Sequence, residues 1–103
     1  PMAKRTIVWL DFAKQDRKDI YSYWNSRNKS ISYSKKLQQA VVKSYAIIDR
    51  SPLANPSFGN SDKRFILIAS NYLLVYSFNY TYIIIHAFWD ARQNPDKLTK
   101  RIK

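Results

Sequence analysis

Residues 63–95 read KRFILIASNYLLVYSFNYTYIIIHAFWDARQNP, and within them residues 65–88 hold no Lys, Arg, Asp or Glu. Ile, Leu, Val, Tyr and Phe dominate, and β-branched and aromatic side chains suit a pleated, half-buried surface. Breaks fall at Ser70-Asn71, where Asn tolerates a positive φ, and at Asn79-Tyr80-Thr81. The pattern predicts strands at about 63–69, 71–78 and 81–89, the last two as a hairpin. On the last strand, alternation places Tyr82, Ile84, His86, Phe88, Asp90 and Arg92 on one face. Ile83, Ile85, Ala87 and Trp89 fall on the other, which reads as the face turned to the helices.

Upstream the period changes. Residues 5–11 (RTIVWLD) alternate as a strand does, with Ile7 and Trp9 on one side and Val8 and Leu10 on the other. Asp11 then stands where its carboxylate can accept from the free N–H groups of a helix start. A helix is expected over 12–27, with Phe12, Ala13, Ile20, Tyr23 and Trp24 as its apolar positions. In a second helix Tyr33, Leu37, Ala40, Val41, Ser44, Tyr45 and Ile48 recur at three- and four-residue spacing, one continuous stripe. Ser30, Ser32 or Ser34 can cap it, and Arg50-Ser51-Pro52 ends it, because Pro cannot continue the ladder. The short linker between the helices predicts an antiparallel hairpin. Residues 52–62 hold two prolines and the single Gly of the chain, and read as a loop.

The fold class that follows is α+β: an N-terminal strand, an antiparallel helical hairpin, then three antiparallel strands, with the helices packed on one face of the sheet. The whole of 1–103 reads as a single domain, with Pro1 a remnant ahead of Met2 and 96–103 a basic tail. With 103 residues the chain can bury one modest core. It has no Cys, which excludes disulfides and thiolate metal sites. No apolar run reaches the roughly 20 residues that span a bilayer, and the apolar start is too short for a signal peptide. A soluble, cytoplasmic protein is expected, with no membrane association.

Charge adds a partner to this picture. Eighteen Lys and Arg stand against seven acids, all of them Asp, for a net +11. A surplus of that size favours an anionic partner or simply a solvated helical surface. There is no phosphate-cradling Gly-rich loop, no paired carboxylate at catalytic spacing and no metal-ligand cluster, so no cofactor or metal is expected.

Three stretches resemble the RelE/ParE superfamily of bacterial type II toxin–antitoxin toxins, among them plasmid stabilisation proteins. The first helix carries DIYSYW, similar to the family's aromatics near the end of helix one. The second closes on IIDRSP. NYLLVYSF, IIIHAFWD and ARQNPDKL resemble the family's last hairpin and its tail of Arg, Pro and Leu. The resemblance covers nearly the whole chain. It implies the same helical hairpin on a sheet, and a small basic toxin held inactive by an acidic cognate antitoxin in a hetero-oligomer. Its two known activities are ribosome-dependent mRNA cleavage (RelE-like) and poisoning of DNA gyrase (ParE-like).

The residues favour the second activity. RNA cleavage needs positive charge for the phosphorane-like transition state and an acid for the leaving oxygen. Where the resemblance places a catalytic Arg, this chain has Leu73; no Lys or Arg occurs in 65–91, and no Tyr follows Tyr82. A ribonuclease would have to use Arg64, His86 and Arg92. His86 is the one histidine, suited to proton transfer near neutral pH or to a structural hydrogen bond. Arg92 matches the family's terminal Arg and reads as a target contact, or as half of an ion pair with Asp90 or Asp62. Gln93 and Asn94 serve either a partner or the turn that Pro95 begins. Tyr72 and Tyr76, with Phe78, can stack on bases or pack the sheet. Lys97, with Lys100, Arg101 and Lys103, forms a basic tail, either solvated or part of a partner surface. The leading expectation is therefore a ParE-like toxin that binds gyrase. The alternatives are a ribosome-dependent mRNA endonuclease and a non-toxic basic binding module.

Overall fold

In a computed structural model the described residues are 4–102; the expectations for Pro1 and Lys103 fall outside them. The order is β1 (Thr6–Trp9), α1 (Asp11–Asn28), α2 (Ser32–Arg50), β2 (Arg64–Ile68), β3 (Tyr72–Phe78), β4 (Tyr82–Asp90) and α3 (Pro95–Ile102). The four strands form one sheet in the order β1-β4-β3-β2. β2–β3 and β3–β4 are antiparallel, as expected. β1 joins parallel to β4, with Thr6 opposite Tyr82 and Trp9 opposite Ile85.

The stripe on α2 forms as its spacing requires: Ser34, Leu37, Val41, Ser44 and Ile48 are its buried residues. They meet Ala13 of α1, Trp9, and Ile68, Tyr72, Leu74, Tyr76, Ile83, Ile85 and Phe88 of the sheet in one core. Each fully buried aliphatic side chain there contributes about 2 kcal/mol of hydrophobic stabilisation. Aromatic polar tips inside it are paired. Trp9 Nε1–H donates to the Tyr45 hydroxyl at 2.9 Å, and Trp24 Nε1–H donates to the Tyr72 hydroxyl at 2.7 Å. Tyr21 donates to Gln38 Oε1 at 2.7 Å, and Trp24 packs against Tyr33 with ring planes tilted by 60° and centroids 4.7 Å apart, contacts that fix α1 and α2 as an antiparallel pair. On α1, Phe12 and Tyr23 are exposed and Tyr21 packs inward, so the apolar face lies slightly round from the expected one.

Several local expectations change. Leu10, not Asp11, stands at the N-cap of α1, and no side chain caps it; Asp11 lies inside the first turn, where its charge complements the helix dipole. Ile31 stands at the N-cap of α2, again without a side-chain cap. Between β2 and β3 the positive φ values belong to Ala69 (53°) and Ser70 (65°) rather than Asn71. Two successive positive values are what a type I′ turn demands, and the Asn71 N–H closes the turn on the Ile68 carbonyl at 3.3 Å.

The largest correction concerns β4. Val75 pairs with Ala87 but Tyr76 pairs with Ile85, so β4 carries an extra residue, His86, at a β-bulge. A bulge shifts the alternation by one. Ile83 and Ile85 face the helical hairpin as expected. Beyond the bulge Phe88 takes that face, while Ala87 and Trp89 turn to the opposite side.

That opposite side is covered in part by the segment expected to be a basic tail, either solvated or part of a partner surface. α3 places Leu98 and Ile102 against Val75 and Ala87, with Phe58, Phe65, Leu73 and Trp89 around them. Asn94 Oδ1 accepts from the Asp96 N–H at 2.9 Å and Pro95 opens the helix, a start signal of the usual kind. Arg101 is not free charge: its guanidinium pairs with Asp16 of α1 and lies over Phe12 and Trp89. Asp16 also accepts from the Phe88 N–H at 3.0 Å. β1 ends opposite Ile85, so this carboxylate takes up a sheet N–H beyond the reach of β1 and ties α1, β4 and α3 together.

Candidate functional site

Where α1 passes the end of β4 the surface opens into a cleft of about 370 Å³, lined by Asp19, Ile20, Tyr23, Tyr72, Asp90, Arg92 and Gln93. Asp19 and Tyr23 are one helical turn apart and so share a face of α1. Tyr72 and Asp90 are partners in the β3–β4 register, which sets their side chains next to each other. The chain then leaves the sheet through a turn closed by the Gln93 N–H on the Asp90 carbonyl at 3.0 Å, and this turn swings Arg92 back over Asp90.

Arg92 Nε and Nη2 donate to the two Asp90 carboxylate oxygens at 3.0 and 2.9 Å, and the Arg92 backbone N–H donates to Oδ1 at 2.9 Å. The Arg92 guanidinium holds the Asp90 carboxyl below its ordinary range, mainly through this side-chain hydrogen bond. Of the two ion pairs open to Arg92, the one with Asp90 forms; Asp62 pairs with Lys63 at 3.0 Å instead. The Arg92 side chain nevertheless keeps 63% of its surface in solvent. Burial raises the pKa of Tyr72, whose hydroxyl is held by Trp24, so only the edge of this residue reaches the cleft. A guanidinium, two carboxylates, the exposed Tyr23 and the Gln93 amide make a surface for polar recognition. Among the described residues no group of three or more His, Cys, Asp or Glu could hold a metal ion, and no helix is long and apolar enough to cross a membrane.

The structure thus brings Tyr72, Asp90, Arg92 and Gln93 together. Asn94 caps α3 beside them, and Lys97 lies exposed on α3. Tyr76 is removed from the set. It is fully buried, donates to the Pro52 carbonyl at 2.7 Å and accepts from Asn55 Nδ2 at 3.1 Å; burial raises its pKa. Arg64 pins the same loop, donating to the carbonyls of Leu53 and Asn55 at 3.3 and 2.6 Å.

The three residues a ribonuclease would need do not converge. Arg64 pairs with Tyr76, on the side of the helical hairpin. His86 bonds Ser77, the strand neighbour of Tyr76 and therefore on the other side, with Nε2 and Oγ 2.7 Å apart. Burial, and then the charge of Lys63, lowers the His86 pKa from its ordinary 6.5. Arg92 lies past the far end of β4.

Asp19, Ile20 and Tyr23 were absent from the sequence expectations as site residues. Tyr23 reads as core because it falls near the apolar stripe of α1; its spacing from Asp19 is the signal that joins it to the cleft. Ser77 has no sequence mark at all, since only the bulge brings His86 to it.

No protein-family model and no curated protein matches the chain. Among solved structures, a chain of "Chromosomal ParDE TA system from P. aeruginosa" superposes with a TM-score of 0.66 at 12% identity, over 84% of this chain and 95% of that one. Likeness at that level of identity is one of fold, and the RelE/ParE-like fold implied by the resemblance is the fold of this chain.

Proposed function

We propose that this protein is the toxin of a type II toxin–antitoxin module, ParE-like in action, which arrests growth by binding DNA gyrase in the cytoplasm and is neutralised by an acidic cognate antitoxin. The observation that carries the choice of binding over cleavage is the dispersal of Arg64, His86 and Arg92 over both faces and one end of the sheet. General acid–base catalysis at one phosphate needs its groups within hydrogen-bond reach of the reacting atoms. Support for the toxin itself comes from the shared fold of the ParDE chain and from a net charge of +11, which suits an acidic inhibitor. The cleft at Arg92 and Tyr23 is the surface assigned to the target. Gyrase would be engaged there by the Arg92 guanidinium, the Tyr23 ring and the Gln93 amide.

Pulse labelling in a bacterial host tests this, with DNA and protein synthesis followed separately over the first minutes after induction. The expected result is that DNA synthesis fails first, with a DNA-damage response. Arg92→Ala and Tyr23→Ala should relieve the arrest while leaving the folded protein intact, since both side chains are largely solvent-exposed. Immediate loss of protein synthesis would replace this reading with a ribosome-dependent mRNA endonuclease. Absence of any growth defect would leave a non-toxic basic binding module.

A further inference from the structure

α3 covers only part of the second sheet face. The rest carries Thr6 and Val8 of β1, Tyr82 and Ile84 of β4, Ser77 of β3 and the bulged His86. Beside it runs a groove of about 560 Å³, mostly apolar, lined by Phe58, Gly59, Asn60, Ser61, Lys63, Thr99 and Ile102. Lys63 belongs to both regions. Lys63 directly precedes Arg64, whose partner across the sheet is Tyr76, the chain neighbour of Ser77. Lys63 also lies close enough to His86 to lower its pKa.

We propose that Lys63, Ser77 and His86 form a carboxylate-accepting site for the acidic antitoxin, and that the adjoining groove takes an apolar side chain next to that carboxylate. This rests on the toxin–antitoxin reading above and names where the partner is held. The chemistry of the site favours an oxyanion. In one tautomer His86 Nε2–H donates to Ser77 Oγ, which frees the serine hydroxyl to donate to an incoming carboxylate while the Lys63 ammonium supplies charge. No proton need be taken up. Lys63 already holds a carboxylate, that of Asp62, at 3.0 Å; the Asp62 side chain is 81% exposed and that of Lys63 only 18%, so an incoming carboxylate would replace a solvent-facing partner on a largely shielded ammonium. Two charged groups act on His86, Lys63 lowering its pKa and Asp62 raising it. The groove supplies the second half of the match, since a partner that is acidic but wholly polar would leave the half-buried Phe58 ring uncovered.

His86 is the one histidine of the chain, so its ring gives a single set of imidazole resonances. The full chain is titrated with a short peptide alternating glutamate and leucine, with its glutamine–leucine counterpart, and with oligouridylate. The glutamate peptide should move the His86 signals and raise the His86 pKa, and the glutamine peptide should not. Ser77→Ala and Lys63→Met should each weaken the glutamate peptide about tenfold, the worth of one charge-assisted hydrogen bond. Both variants keep their bulk, and an unchanged melting temperature confirms that they fold. Equal response to the two peptides, no response, or preferential binding of oligouridylate at His86 overturns the site. Growth arrest is read separately, so loss of this site leaves the toxin reading standing, and loss of toxicity leaves the peptide result interpretable.

Discussion

The two faces of the sheet are closed by different means. On one, a two-helix hairpin of 18 and 19 residues lays a continuous apolar stripe over eight sheet residues that are almost wholly shielded from water. On the other, an eight-residue helix covers Val75 and Ala87 with two side chains and is fastened by the Arg101–Asp16 pair. The first closure rests on area and packing, the second on a small cluster and an electrostatic latch. The consequence is a molecule with one large core on one side of the sheet and a second side that is only partly covered.

Truncating a side chain from each core is the most severe way to break this contrast. Leu74→Ala on the hairpin side should lower global stability by about 3 kcal/mol, because a fully buried leucine leaves a cavity that packed helices cannot fill. Leu98→Ala removes an equally buried side chain from α3, yet should mainly free that helix, so that amides of 95–102 exchange rapidly while the global denaturant midpoint moves less. Equal global losses would show that both faces belong to one cooperative unit. Next in size is the latch. Asp16→Asn leaves the Arg101 guanidinium, with 22% of its side chain exposed, without a counter-charge, and should cost about 2 kcal/mol by chemical denaturation. Adding Arg101→Met to it should recover part of the loss; a simple sum of the two single losses would remove the latch from the account.

A smaller effect belongs to the turn shared by both faces. Ala69 and Ser70 hold positive φ, which glycine adopts freely, so Ala69→Gly or Ser70→Gly should stabilise the protein by about 0.5–1 kcal/mol in a thermal melt. The smallest concerns His86. Its pKa lies below 6.5 in the folded state, so the unfolded chain binds more protons as pH falls below 6.5. Stability should therefore be full above pH 6.5 and decline beneath it until the folded-state pKa is passed. His86→Gln should flatten that slope.

The elements were legible because they carry strong periods. The stripe from Leu37 to Ile48 and the uncharged run of 65–88 fix helix and strands, and Pro52 and Asn79 mark their ends. Failures occurred where one residue changes the count. Nothing in IIIHAFWD marks His86 as an inserted position, since every residue around it suits a strand, and the face of Phe88 was therefore misread. α3 carries its own signals: Asn94-Pro95 is a helix start, and Leu98 and Ile102 stand four apart, but the lysines among them give the segment the composition of a solvated tail. The cleft was half visible. Asp90, Arg92 and Gln93 adjoin in sequence, whereas Asp19 and Tyr23 arrive from 70 residues away through tertiary packing alone.

The parallel pairing of β1 with β4 sets the order in which the chain can fold. Thr6 can meet Tyr82 only after the 76 residues beyond it have been made, so β1 stays unpaired while both helices, β2 and β3 are synthesised. The local contacts of the helical hairpin can form in the nascent chain long before, while strand closure carries the loop entropy of the whole sequence.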